Sequence, residues 1–233
     1  MGHTKLNIIA LHGFLGSPAD WVPFREMITH PLALDREELP FREWALYFNQ
    51  TKVPKVGKNL LIGYSLGARL AMHILLDNPS LWAGAIFISG HPGLKTKEEQ
   101  QARLSSDRHW AQRFLTEPWD LLIQEWNRNP IFDNRPFAVD HLEQDFDRKT
   151  LANQLCHWSL GHQENLRPQL KKLNIPLLFM SGEKDSKFSA IAQECTFASI
   201  AIIPGVAHRI PWENPVLFQE QVELFAKRLV HAN

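Results

Sequence analysis

Ser65, Asp185 and His208 are the residues whose types, order and settings could do chemistry together. A serine hydroxyl is a poor nucleophile and a poor base until an imidazole takes its proton. The imidazole in turn needs a carboxylate that holds its tautomer and stabilises its charged form. Ser65 lies in Gly63-Tyr64-Ser65-Leu66-Gly67, directly after the apolar run Asn59-Leu60-Leu61-Ile62 and directly before a helical stretch over residues 66–77. That strand–turn–helix setting lifts a serine hydroxyl off the end of a sheet. Such a turn is crowded, and a glycine on either side has no Cβ to clash. The serine would also stand at a helix N-terminus, where free N–H groups and the dipole favour developing negative charge.

Asp185 ends Ser181-Gly182-Glu183-Lys184-Asp185, after the apolar run 177–180, and His208 ends Pro204-Gly205-Val206-Ala207-His208, after the run 200–203. The chain order serine, acid, histidine suits this turn, and both partners fall in loops past strand ends, where open α/β sheets build sites. Glu183 is the competing acid and is assigned to solvent. An oxyanion site needs two backbone N–H donors. Leu66 offers one, and Phe14 in the loop His12-Gly13-Phe14-Leu15-Gly16 offers the other. His12 reads as a strand-end residue that orients this loop. Arg69 shares a helix face with Ser65, and helical side chains lean towards the N-terminus. Its guanidinium has two readings on spacing alone: a bidentate clamp on a substrate carboxylate, or a helix cation paired with a surface acid.

The elements that must position these residues read as an α/β fold, with a mostly parallel central sheet flanked by helices. Expected strands cover residues 6–11, 32–34, 60–62, 85–88, 177–180 and 200–203, and expected helices cover 20–27, 66–77, 191–195 and 215–231. Most of the strand runs lack alternation, as when both sheet faces are covered. Between residues 94 and 174 strand-like runs vanish. Charged helical patterns replace them, rich in aromatics (Trp110, Phe114, Trp119, Trp126, Phe132, Phe137, Phe146, Trp158) and punctuated by Pro118, Pro130 and Pro136. This segment is expected to be a helical cap inserted into a core of residues 1–93 and 175–233. Its aromatics are first of all the cap's own core. Of Arg103, Arg108 and Arg113, most are expected in solvent and one or two towards the site.

Over 233 residues, Lys plus Arg and Asp plus Glu both total 25, so no basic face suggests nucleic acid as a partner. Near-neutrality gives weak colloidal repulsion, compatible with a monomer or a small homo-oligomer. Cys156 and Cys195 make no disulfide framework, so reduced thiols in a cytoplasmic protein are expected. The apolar run 6–12 is too short for a signal peptide or a membrane span. The eleven histidines show no metal-ligand spacing.

The elbow, acid and histidine segments resemble those of the α/β-hydrolases. The finer resemblance is to the 2-succinyl-6-hydroxy-2,4-cyclohexadiene-1-carboxylate synthases of menaquinone biosynthesis. It runs through most of the chain from His12 and is carried by Gly63-Tyr64-Ser65-Leu66-Gly67-Ala68-Arg69, Gly90-His91-Pro92-Gly93-Leu94, Ser106-Asp107-Arg108-His109-Trp110-Ala111-Gln112-Arg113-Phe114-Leu115-Thr116-Glu117-Pro118 and Gly182-Glu183-Lys184-Asp185-Ser186-Lys187-Phe188. The resemblance implies a lyase in which a Ser65–Asp185–His208 triad serves as base and pyruvate is eliminated. It implies that Tyr64, Arg69, Arg103 and Trp126 shape the site of a small anionic substrate, with no metal or organic cofactor. Two segments depart from that family. Asp35-Arg36-Glu37-Glu38-Leu39-Pro40 stands where the family has a glycine-containing loop, and Glu143 stands where it has a carboxylate-binding arginine, with Arg148 the nearest arginine. The rival reading is a serine carboxylesterase or thioesterase-type hydrolase with Ser65 as nucleophile. A non-catalytic ligand sensor is disfavoured by the complete set of triad candidates.

Overall fold

A computed structural model describes residues 6–135 and 141–231. Six strands, β1 (Leu6–Leu11), β2 (His30–Leu32), β3 (Lys58–Tyr64), β4 (Gly84–Ile88), β5 (Leu177–Gly182) and β6 (Ser199–Ile203), form one sheet in the order β2-β1-β3-β4-β5-β6. Every neighbouring pair is parallel. The helices are α1 (Phe41–Thr51), α2 (Leu66–Asp77), α3 (Lys97–Thr116), α4 (Trp119–Asn127), α5 (Arg148–His157), α6 (Arg167–Leu170), α7 (Ser186–Glu194), α8 (Ile210–Glu213) and α9 (Pro215–His231). None of them is long and apolar enough to cross a membrane.

The sheet is buried on both faces, which is why its central strands read as unbroken apolar runs. Alternate residues serve opposite layers. Ile9 and Leu11 join Trp44, Phe48, Ile74 and Phe179 under α1 and α2. Ile8 and Ala10 join Trp21, Phe24, Phe218 and Phe225 under α9. The described elements between β4 and β5 are all helical. There α3 and α5 pack together, and Ala111, Phe114, Leu122, Leu151 and Leu155 close a third cluster that also takes in Leu15. Phe137 and Pro136 lie outside the described residues.

Several elements differ from the sequence reading. The second strand is His30–Leu32 rather than 32–34, paired Ile9 to His30 and Leu11 to Leu32. Leu34 is buried past its end, and its N–H bonds the His12 ring instead of a ladder carbonyl. Pro31 is tolerated because β2 is an edge strand. The stretch expected as a helix over 20–27 is a 3₁₀ turn over Pro18–Phe24, started by a capping box between Ser17 and Asp20 and carrying Pro23 inside. Helix α1 is absent from the sequence reading, although Phe41, Trp44, Ala45 and Phe48 give it a buried face. The helix expected over 191–195 begins earlier, at Ser186, because the Asp185 carboxylate caps it.

Candidate active site

Strand β3 ends at Tyr64, paired with Ile88, and the chain turns at once into α2. Ser65 carries the turn at φ 52° and ψ −107°, a strained conformation for a residue with a Cβ. The turn closes because Gly67 packs on the end of β1. A Cβ there would fall on the carbonyl oxygen of His12 and 2.6 Å from that of Leu11. This contact sets the start of α2 beside the loop 12–16.

The His208 Nε2 lies 3.1 Å from the Ser65 hydroxyl, and its Nδ1 lies 2.6 Å from an Asp185 carboxylate oxygen. His208 and Asp185 are both buried. Each is held by its own element. The second Asp185 oxygen accepts the Phe188 N–H at the start of α7, and the Ser89 hydroxyl donates to the His208 carbonyl at 2.8 Å. Glu183 is exposed and accepts the Gly205 N–H, turned away from the imidazole. The arrangement can draw a proton from the serine and store it on a carboxylate-held imidazole.

Phe14 and Leu66 both line the cavity above Ser65. Neither backbone N–H donates to any described residue, so both stay available to an oxyanion. The Phe14 ring packs beside the cavity. It lies 5.2 Å from Phe114 and 4.9 Å from Trp126, inside the aromatic cluster of α3 and α4. His12 orients the loop from beneath: its Nδ1–H donates to the Gly13 carbonyl at 2.8 Å, and its Nε2 accepts the Leu34 N–H.

The cavity measures about 330 Å³ and runs from Ser65 to the inner faces of α3 and α4, within the range of small-ligand sites. Arg69 reaches into its wall. Its guanidinium donates to the Trp158 carbonyl at 2.5 Å and lies 5.9 Å from the Phe41 ring, and among the described residues no carboxylate pairs with it. Burial, then the neighbouring Arg103, lower its pKa to about 9. The surface-acid reading of Arg69 is therefore replaced by a half-buried cation on the cavity wall. Arg103 also lines the cavity, with its Nε 2.8 Å from both Asp107 oxygens, while Asp107 accepts the Ser159 hydroxyl. Arg113 instead binds Glu117 and Glu125 outside the cavity. Tyr64 and Trp126 also line the cavity. Tyr64 packs edge-on to Trp212 at 4.9 Å, and burial raises the pKa of its phenol.

Glu143 and Arg148 pair with each other at 2.7 Å, and Arg148 also donates to the Phe114 and Glu117 carbonyls. Neither lines the cavity, so neither the repulsive acid nor a compensating arginine acts there. Sequence reasoning missed other lining residues. Arg209 stacks 3.8 Å over Phe132 and donates to Asn127, and Lys187 and Phe188 stand on the first turn of α7. Their signal was adjacency: Arg209 directly follows His208, and Lys187 and Phe188 follow Asp185 closely.

The buried imidazoles carry a pH consequence. Burial lowers the pKa of His12 from 6.5 to about 4, and burial, reinforced by nearby cations, lowers that of His91 to about 3. The unfolded chain therefore binds protons first as pH falls below 6.5, and the folded state loses stability until about pH 3. Asp20, raised to about 6 by burial, works in the opposite direction over a narrower window. The expected result is a melting temperature that drops between pH 6.5 and 4, with a shallower drop in His12→Asn. A melting temperature that rises towards pH 4.5 would contradict it.

The family model described as serine aminopeptidase, S33, matches residues 44–214. The 2-succinyl-6-hydroxy-2,4-cyclohexadiene-1-carboxylate synthase of Photorhabdus laumondii is 32% identical, over 94% of this chain and 84% of that one. The synthase of the same name from Salmonella arizonae is 31% identical, over 89% of this chain and 88% of that one. Among solved structures, MenH from S. aureus has a TM-score of 0.85 at 21% identity, covering 98% of this chain and 96% of that chain. A thermophilic esterase from Thermogutta terrifontis has a TM-score of 0.71 at 17% identity, covering 97% and 91%. These two structural likenesses speak for the fold. The sequence matches go further: the chain belongs to the α/β-hydrolases, in the family of the 2-succinyl-6-hydroxy-2,4-cyclohexadiene-1-carboxylate synthases.

Proposed function

We propose that this chain is a lyase of menaquinone biosynthesis that eliminates pyruvate from 2-succinyl-5-enolpyruvyl-6-hydroxy-3-cyclohexene-1-carboxylate. The observation that carries this reading is a Ser65–His208–Asp185 array opening into a cavity whose wall holds Arg69 without a carboxylate partner among the described residues. A neutral ester gives such a cation no negative charge to pair with, whereas this substrate is a polycarboxylate.

The array acts as a base. The Ser65 oxygen takes the proton from the ring carbon that bears the succinyl ketone, and His208 accepts the serine's own proton. The electron pair moves onto the ketone oxygen, which the Phe14 and Leu66 N–H groups hold as an enolate. On its return the pair passes through the ring double bond and expels the enolpyruvyl oxygen. The released enolate takes up, at its methylene carbon, the proton held by His208 and becomes pyruvate, which restores the neutral array. Asp185 stabilises the imidazolium formed on the way. Tyr64, Arg69, Arg103 and Trp126 set the substrate's position. On this reading the enzyme is cytoplasmic, works without metal or organic cofactor, and acts on a small molecule rather than on nucleic acid or membrane, as a monomer or small homo-oligomer.

The test is pyruvate release from the enolpyruvyl intermediate by the purified protein, beside cleavage of a short p-nitrophenyl ester. Pyruvate release with little ester cleavage is expected. Ester cleavage alone would replace the reading with that of a carboxylesterase or thioesterase. Arg69→Ala is expected to raise KM for the polycarboxylate by about 10- to 100-fold, the worth of a charge-assisted hydrogen bond. It should leave the short ester within about twofold. Equal losses on both substrates would remove the anchoring role of Arg69.

A further inference from the structure

His91 belongs to the segment Gly90-His91-Pro92-Gly93-Leu94, whose role the chemistry above leaves open. It follows β4 on the same edge of the sheet as Ser65 and His208, it is 7% exposed, and it lines the cavity. Its backbone is anchored, since the Gln163 amide donates to the His91 carbonyl at 2.8 Å. Its Nδ1 accepts the Gly93 N–H at 3.1 Å, which fixes the tautomer with the proton on Nε2. That Nε2–H has no hydrogen-bond acceptor among the described residues. It is also not a sealed atom, because the fully buried polar atoms without partners do not include it. It therefore opens on the cavity as an unused donor.

The surroundings of this donor are cationic. Arg69, Arg103, Lys187 and Arg167 all act on the ring and, with burial, keep it neutral. Lys187 lines the same cavity, with its ammonium 5.9 Å from the Phe188 ring. The His91 ring meets Phe188 edge-on at 6.2 Å, and Phe188 in turn lies 4.7 Å from the His208 ring. The donor is thus one phenyl ring away from the proton-accepting imidazole, on the side where positive charge collects. A protonated histidine there would add repulsion to four neighbours. A neutral one adds a directed hydrogen bond at no such cost.

We propose that His91 is a substrate-binding residue whose Nε2–H donates to a carboxylate oxygen of the polyanionic substrate, beside Arg103 and Lys187. The proposal rests on the anionic-substrate reading given above. It assigns the Gly90–Leu94 segment a direct part in recognition, in addition to its place in the packing of the loop.

Two substitutions separate the two roles. In His91→Asn the amide can still accept the Gly93 N–H, but nothing reaches the cavity. In His91→Gln the amide nitrogen can occupy the Nε2 position and donate. Expected for His91→Asn is a KM for the enolpyruvyl intermediate raised about tenfold or more, with the short p-nitrophenyl ester unaffected. His91→Gln should recover most of that loss. Succinate, titrated by calorimetry as a simple dicarboxylate, should bind His91→Asn more weakly than wild type. Wild-type KM in His91→Asn, or equal losses in both variants with a lowered melting temperature, would overturn the proposal and leave His91 a loop-shaping residue. A wild type that neither releases pyruvate nor binds succinate would overturn the anionic-substrate reading and this proposal with it. Loss of succinate binding in Arg69→Ala but not in His91→Asn would overturn this proposal alone.

Discussion

Ser65→Ala is expected to lower kcat for pyruvate release by about ten-thousandfold, with KM within severalfold of wild type. On the proposed mechanism the hydroxyl is the group that meets the substrate proton, and its described partner is the His208 Nε2 at 3.1 Å. Removing it leaves the imidazole without a relay of the right length and leaves the carboxylate-binding wall untouched. The fold should barely register the change. Alanine bears the same strain at φ 52° that serine already bears, and no helix cap is lost, because the Ser65 side chain makes no cap hydrogen bond. A melting temperature close to wild type beside collapsed turnover is the expected signature. Intact mass of the wild-type protein separates base from nucleophile. A serine that acts only as a base gives wild-type protein no covalent adduct with substrate, whereas an esterase accumulates an acyl-serine visible by intact mass. Retention of more than about a tenth of wild-type pyruvate release in Ser65→Ala would rule out Ser65 as the base.

Asp185→Asn should cost about as much through a different cause. The 2.6 Å contact from the Asp185 oxygen to His208 Nδ1 requires a proton on Nδ1, which leaves Nε2 free to accept from serine. An asparagine amide turned towards Nδ1 donates instead, forces the proton onto Nε2, and presents the serine with a donor in place of a base. Loss of about ten-thousandfold in kcat is typical when only this tautomer is wrong. The substitution is nearly isosteric, and an asparagine oxygen can still accept the Phe188 N–H that starts α7, so stability should change little. Glu183 is no substitute, because it is exposed and bound to the Gly205 N–H. A variant within tenfold of wild type would show that Asp185 does not set the tautomer.

What was legible in the sequence follows from the range of each constraint. The Ser65 turn was legible because strand, glycines and helix are contiguous and the constraint is steric. The strands β3, β4 and β5 were legible because burial on both faces leaves unbroken apolar runs. Asp185 and His208 each stand a few residues past such a run, so chain order alone could propose them. The rest depended on distant partners. Arg69 could not be decided by spacing, because its acceptor is the carbonyl of Trp158, 89 residues away in the chain. Leu34 looked like strand because it is buried, yet its N–H goes to the His12 ring. Helix α1 has its own apolar face but begins at Phe41, just past Pro40 and an acidic run that reads as loop. Glu143 reads as a repulsive acid in the site until its pairing with Arg148 places both outside the cavity.

One feature of the loop 12–16 reaches beyond this single site. Phe14 offers its backbone N–H to the cavity but sends its ring between Phe114 and Trp126. The helices between β4 and β5 are therefore more than a roof that could be exchanged for another. A chimera that swapped them for a foreign insertion would strand the Phe14 ring in water, and the loop would settle elsewhere. Loop and insertion form one heritable part on this scaffold. A substitution at Trp126 and one at Phe14 should couple rather than add.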